Sequence, residues 1–285
     1  MLEFLYTCMM YKSKSGISAL ITLVALTSTI GLANPDENQT QPTATAVAEA
    51  SVEYIHKTVE VDDQEYIWTI MIPPSAKKGG AGLLFLHGKG QCGSDGELHI
   101  KYGLPPAIEK NPGAWPFVVF IPQKKSGADW NYHTEAIMQL LDESIEEGYA
   151  DPNRIGITGL SQGGQGSMVF ASEYPDRFSA VAPVCGYAHV AHDENGDDTP
   201  LPSIQEYQAL MLKQAQSLKD TPVWLFHGDE DRAVPVDCSR VMNHALKSMG
   251  ADVTYTEFKG VDHDAWDPAY AMTELGNWFA KHLAE

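Results

Sequence analysis

A serine hydroxyl is a weak nucleophile until a base takes its proton, and the base is usually a histidine oriented by a carboxylate. Gly159-Leu160-Ser161-Gln162-Gly163 offers such a serine between the apolar run RIGIT and a stretch that reads as a helix. A nucleophile on a sharp strand-to-helix turn needs small residues two positions before and after it, because the backbone there is strained and closely packed. The helix start also brings free N–H groups beneath the serine, where negative charge develops in acyl transfer. Downstream, the apolar run VWLFH ends in Gly228-Asp229-Glu230-Asp231, and Gly260-Val261-Asp262-His263-Asp264 follows the last strand-like segment. Serine, then acid, then histidine is the chain order of this triad on an α/β sheet. Asp231 is assigned as the acid, with Asp229 the second choice. His263, one of ten histidines, is assigned as the base and is flanked by Asp262 and Asp264.

The run LLFLH leads into His87-Gly88-Lys89-Gly90-Gln91-Cys92-Gly93. Gly88 to Gly93 spells G-x-G-x-x-G, but Ser94-Asp95-Gly96 prolongs the loop where a dinucleotide site would open a helix, and no acidic residue ends the next strand. The loop serves better as a source of a backbone N–H for the oxyanion, from Lys89, joined by the N–H of Gln162. Asp193 to Asp198 begins with the rhythm of a calcium loop, yet Asp198 replaces the required glycine and Ile204 the bidentate glutamate. It reads as a solvated acidic loop. His189 and His192 lack further metal ligands, and Trp130 and Trp266 are candidates either for a cleft wall or for ordinary packing. Neither a cofactor nor a metal is expected.

Positioning these residues takes a sheet. From residue 51 onward apolar runs at 53–61, 66–72, 82–87, 117–122, 154–159, 180–184, 223–227 and 254–258 read as strands. Helical patterns follow at 132–147, 162–174, 203–218, 238–249 and 268–283. The first two strands read as an antiparallel hairpin and the rest as parallel strands buried on both faces. Asp151-Pro152-Asn153 reads as a turn into the strand 154–159. The expectation is one three-layer sandwich with its chemistry at the carboxyl ends of the strands.

The 285 residues are 44% hydrophobic and 20% charged, which fits a folded domain. A formal net charge of −19 repels phosphodiester backbones, so nucleic acid is not an expected partner. At the N-terminus Lys12 and Lys14 precede an apolar run from Ile17 to Leu32, and Gly31-Leu32-Ala33 supplies small residues for cleavage. Residues 1–33 therefore read as an export signal cleaved near Ala33, with translation beginning in place of Met1 at Met9 or Met10 as an alternative start. An uncleaved anchor is the alternative, although the run is short for a span of about 20 residues. Residues 34–50 read as a flexible leader and 51–285 as the catalytic domain, exported to the periplasm or beyond the cell, with no stable membrane span after cleavage. In that compartment Cys92, Cys185 and Cys238 allow one disulfide and a free thiol, or three buried thiols.

From residue 66 to the end, the segments FLHGKG, VVFIPQ, ADWN, DPNRIGITGLSQGG, YPDRFSAVAPVCG, VWLFHGDEDRAVP and VDHDAWDPAY resemble, in order, the α/β-hydrolase superfamily. Within it the chain resembles the secreted phospholipase/carboxylesterase-like group of esterases and predicted peptidases, and SQGG is similar to acyl-protein thioesterases. The resemblance implies an eight-stranded, mostly parallel α/β-hydrolase sheet with an antiparallel N-terminal hairpin and a minimal cap. It implies Ser161 as nucleophile, Asp231 as acid, His263 as base, and backbone donors from Lys89 and Gln162. Three activities remain in view: a serine esterase working through an acyl-enzyme on small or polymer-borne esters, a peptidase or amidase of the same fold, and a noncatalytic binding protein. The segment 188–203 is a modest candidate lid.

Overall fold

The computed structural model describes residues 51–125 and 127–284. The export signal and leader assigned to residues 1–50 lie outside the described residues. Among the described residues no helix is long and apolar enough to cross a membrane.

Strands β1 (Glu53–Val61) and β2 (Gln64–Ile72) pair antiparallel through a two-residue turn, Asp62-Asp63, with φ of 50° and 61° at its two residues. Positive φ at both central residues gives the turn the twist that matches a hairpin. β3 (Gly80–Leu86), β4 (Val118–Lys124), β5 (Ala150–Leu160), β6 (Ala180–Val184), β7 (Val223–Gly228) and β8 (Val253–Phe258) complete the sheet. Its order is β1-β2-β4-β3-β5-β6-β7-β8, parallel from β4 through β8 and antiparallel at β1-β2 and β2-β4. The chain leaves β3 for β4 on one side and returns to β5 on the other. That reversal opens a crevice at the carboxyl ends of β3 and β5, where the 88–93 loop and Ser161 lie.

Alternate residues of each central strand face opposite layers. Leu84, Leu86, Phe120 and Ile157 enter one apolar core with Trp68, while Leu83, Phe85, Val119 and Leu160 enter the other with Trp115 and Phe279. The helices are α1 (Leu104–Lys110), α2 (Thr134–Glu146), α3 (Gln162–Glu173), α4 (Ile204–Leu218), α5 (Asp237–Ser248), α6 (Trp266–Ala271) and α7 (Thr273–His282).

Two expectations need correction, and one helix was not anticipated. The single helix expected over 268–283 is two helices, broken at Met272, whose ψ of 116° is extended. Asp151-Pro152-Asn153 belongs to β5, where the register against β3 shifts between Gly80↔Ala150 and Gly82↔Ile155. The turn chemistry survives inside that irregularity, since Asn153 N–H donates to Asp151 Oδ1 at 2.9 Å. Helix α1 has no counterpart in the sequence reading, because Pro105 and Pro106 look like breakers. In the first turn, where N–H groups lack intrahelical acceptors, prolines are tolerated.

Candidate active site

Ser161 sits between the last residue of β5 and the first of α3, with φ 55° and ψ −114°, a conformation L-residues rarely adopt. Its N–H donates to Val184 O on neighbouring β6 at 2.9 Å, which helps hold the strained turn. The flanking glycines are required by contact. A Cβ on Gly163 would lie 1.9 Å from Leu86 O, and one on Gly159 would lie 2.4 Å from Gly163 O. The strand, the turn and the helix therefore close on one another with no room for a side chain.

Strand β7 runs into the loop that carries Asp231, the residue assigned as the acid from the sequence. Asp231 has no exposed side-chain surface, and its Oδ1 accepts the N–H groups of Ala233 and Val234, each at 2.8 Å. Its Oδ2 faces His263 Nδ1 at 2.8 Å and His227 Nε2 at 3.2 Å. Burial pushes the Asp231 pKa up, but hydrogen bonds from His227 and His263 outweigh it and hold the carboxyl well below the usual carboxylate range. Asp229, the competing acid, is turned elsewhere: its Oδ1 accepts Gly260 N–H at 2.6 Å.

The loop after β8 carries His263, the residue assigned as the base from the sequence. His263 Nε2 lies 2.8 Å from Ser161 Oγ, so the imidazole bridges the hydroxyl and the Asp231 carboxylate. With Nδ1–H donated to Asp231, Nε2 carries a lone pair and accepts from the serine. Trp266 stands edge-on to the imidazole with ring centroids 5.3 Å apart. Asp262 does not reach the ring; its carboxylate takes the Arg232 guanidinium and the N–H groups of Arg232 and His263, both at 2.9 Å.

Ser161 and His263 open onto a cavity of about 200 Å³ whose wall also includes Lys89, Gln162, Tyr187, His189, Leu201 and Val234. Lys89 begins a 3-10 turn and Gln162 begins α3, positions at which an N–H has no acceptor within its own helix. The segment 188–203, the candidate lid, contributes His189, Ala191, His192 and Leu201 to the wall, and an antiparallel bridge between His192 and Asp198 closes the segment on itself. His189 and His192 both line the cavity. Trp130 is fully buried against the His87 ring. In the acidic loop, Asp193 Oδ1 accepts from the N–H groups of Asn195 and Asp197, at 2.9 and 3.0 Å. Cys92 and Cys185 are free thiols, Cys185 fully buried and Cys92 half-buried.

Two parts of the site escaped the sequence reading. His227 supports Asp231 from beneath, its ring fixed by Ser239 Oγ at 2.7 Å and Val234 O at 2.9 Å. Its signal was available: it stands next to the end of the same strand, four residues before Asp231. Lys124 and Asp129 meet around the Gln162 side chain, and only the fold brings them together.

The profile of the prolyl oligopeptidase family matches residues 129–285, more than half of the chain. The chain belongs to the prolyl oligopeptidase family. This member of the family is 30% identical over 199 residues to an uncharacterized secreted protein of Arthroderma benhamiae, a match covering 64% of this chain and 21% of that protein. The chain thus spans about a fifth of the length of that relative. It is 25% identical over 222 residues to acyl-protein thioesterase 1 of Gibberella zeae, covering 68% of this chain and 88% of the thioesterase. Among solved structures a thermostable esterase superposes with a TM-score of 0.66 at 27% identity, covering 80% of this chain and 62% of the esterase. The prolyl oligopeptidase family member therefore has the α/β-hydrolase fold, and its homology is to hydrolases of esterase, thioesterase and peptidase type.

Proposed function

We propose that the protein is an exported serine hydrolase that cleaves carboxylic esters through an acyl-enzyme. Ser161 Oγ attacks the ester carbonyl as its proton passes to His263 Nε2, and Asp231 stabilises the imidazolium through Nδ1. The N–H groups of Lys89 and Gln162 receive the oxyanion. The tetrahedral adduct collapses with cleavage of the C–O bond, and the proton on Nε2 goes to the departing alcohol. Water then repeats the sequence on the acyl-Ser161 ester and releases the acid. The observation that carries this reading is the continuous bridge from Ser161 Oγ through His263 to the ionised Asp231 carboxylate, 2.8 Å at each step.

Export rests on the N-terminal sequence and agrees with the secreted character of the Arthroderma benhamiae relative. The family match favours a second reading, amide cleavage by the same residues. Amines are poorer leaving groups, and the 200 Å³ cavity has room for a modest acyl or alcohol group. Rates on matched p-nitrophenyl esters and p-nitroanilides separate the two. Ester turnover at least a thousandfold faster supports the esterase; comparable rates support the peptidase.

A further inference from the structure

The Gln162 side chain is held from both ends by buried ions. Its Oε1 accepts from Lys124 Nζ at 2.9 Å, and its Nε2 donates to Asp129 Oδ1 and Gly127 O, each at 2.8 Å. Lys124 and Asp129 have no exposed surface, and Gln162 has almost none. Each buried ion costs several kcal/mol of desolvation, a cost that good hydrogen bonding can offset but that apolar packing would avoid. Stability therefore gives little account of this arrangement, whereas its location does.

Lys124 touches both sides of the crevice. Besides Gln162, its ammonium donates to Ala128 O at 2.6 Å and Cys92 Sγ at 3.2 Å, and it lies 5.0 Å above the Trp130 ring. Cys92 belongs to the loop that begins at Lys89, and its N–H donates to Lys89 O at 3.3 Å. One ammonium thus braces the residue that carries one oxyanion donor and the loop that carries the other. Asp129 ties the same residue to the cavity wall: it accepts from Tyr187 OH at 3.2 Å, from His192 Nδ1 at 2.9 Å, and from the N–H groups of Ala191 and His192. Gln162 directly follows the strained Ser161, where backbone orientation must be imposed by its surroundings.

We propose that Lys124 and Asp129 are positioning residues which, by clamping the Gln162 side chain and bracing the 88–93 loop, aim the Lys89 and Gln162 N–H groups at the oxyanion. The proposal rests on the assignment of those N–H groups under the serine mechanism. The test compares wild type with Lys124→Met, Gln162→Met and Ser161→Ala for kcat and KM on p-nitrophenyl acetate, for Tm, and for Ki of an aryl trifluoromethyl ketone, which forms an oxyanion-bearing adduct. Losing an oxyanion donor outright costs about 10²–10³-fold in kcat, and misplacing one costs less. Both methionine variants should lose about 10- to 100-fold in kcat with KM within about threefold, and Ki should rise by the same factor as kcat falls.

A fall in Tm with unchanged kcat and ketone affinity would make the network structural and overturn the proposal. If Lys124→Met does not fold, Gln162→Met, which leaves both ions in place, decides. Failure of both to melt cooperatively would also count against it, because the network would then serve folding. An active Ser161→Ala would sink the serine mechanism itself. An inactive Ser161→Ala beside a fully active Gln162→Met would sink only the positioning role.

Discussion

Replacing Asp231 by Asn tests the electronic role of the acid with almost no change of shape. Oδ1 of Asp231 accepts two backbone N–H groups, from Ala233 and Val234, so the amide oxygen of an asparagine must take that position. The NH2 group then occupies the place of Oδ2, 2.8 Å from His263 Nδ1 and 3.2 Å from His227 Nε2. An NH2 there donates to Nδ1, which drives the imidazole proton onto Nε2, the nitrogen that must accept from Ser161. His227 cannot relieve this, since its Nε2–H, shared between Val234 O and the Asp231 position, is a donor with no lone pair for the new NH2, and its Nδ1 faces Ser239 Oγ. A wrong tautomer at such a base costs about 10⁴-fold in kcat, roughly 5.5 kcal/mol of transition-state stabilisation. The assay is initial rates on p-nitrophenyl acetate, with circular dichroism to confirm folding. Asp229→Asn is the paired control, expected to stay within about tenfold of wild type, because the Asp229 carboxylate is engaged with the Gly260 N–H and the imidazole of His263 is engaged with Asp231. Asp231→Asn retaining a tenth or more of wild-type kcat, or Asp229→Asn matching its loss, would refute the assignment of the acid.

Two predictions concern the frame. Gly163→Ala forces a Cβ to 1.9 Å from the Leu86 carbonyl oxygen, a backbone atom with nowhere to go, and should cost about 3 kcal/mol or more in urea unfolding. Gly113→Ala, with open space around it, should leave the midpoint unchanged, and equal midpoints for the two variants would contradict the close packing of the turn. Acid should weaken the fold well above the carboxylate range. Burial, with Lys124 nearby, lowers the His87 pKa; burial, with His56, brings His99 down to about 4; and burial, with Lys124, brings His133 down to about 3. The unfolded chain binds protons on these histidines near pH 6.5 while the folded chain does not, so stability falls as pH drops below that value, by about 2 kcal/mol for each of His99 and His133 between pH 7 and pH 5, with His87 acting in the same direction. Asp231, whose pKa is lowered, contributes stability that is lost only at lower pH, as the pH falls through its folded value. A urea midpoint that does not fall from pH 7 to pH 5 would be inconsistent with this burial.

Local chemistry in the sequence made some features legible and left others hidden. Runs such as LLFL and VVFI are buried on both faces and announce parallel strands, and the glycines around Ser161 announce the turn because nothing larger fits. His263 could be chosen among ten histidines because its loop follows the last strand, and the structure brings it to Ser161. The break at Met272 carries no glycine or proline to mark it, and α1 begins with residues that usually end helices. Lys124 and Asp129 lie 38 and 33 positions before Gln162, and no periodicity encodes their meeting. A charged residue at the end of a buried strand is the one clue, since Lys124 closes a β4 that is buried along its whole length.

The central claim is that Ser161 becomes acylated. The direct measurement is intact-protein mass spectrometry after brief exposure to an activated ester or a fluorophosphonate, with peptide mapping of the adduct. A single adduct on the peptide containing Ser161, absent from Ser161→Ala and formed far more slowly by His263→Ala, is the predicted result. Turnover of esters with no adduct on Ser161, or labelling that survives its removal, would contradict the account.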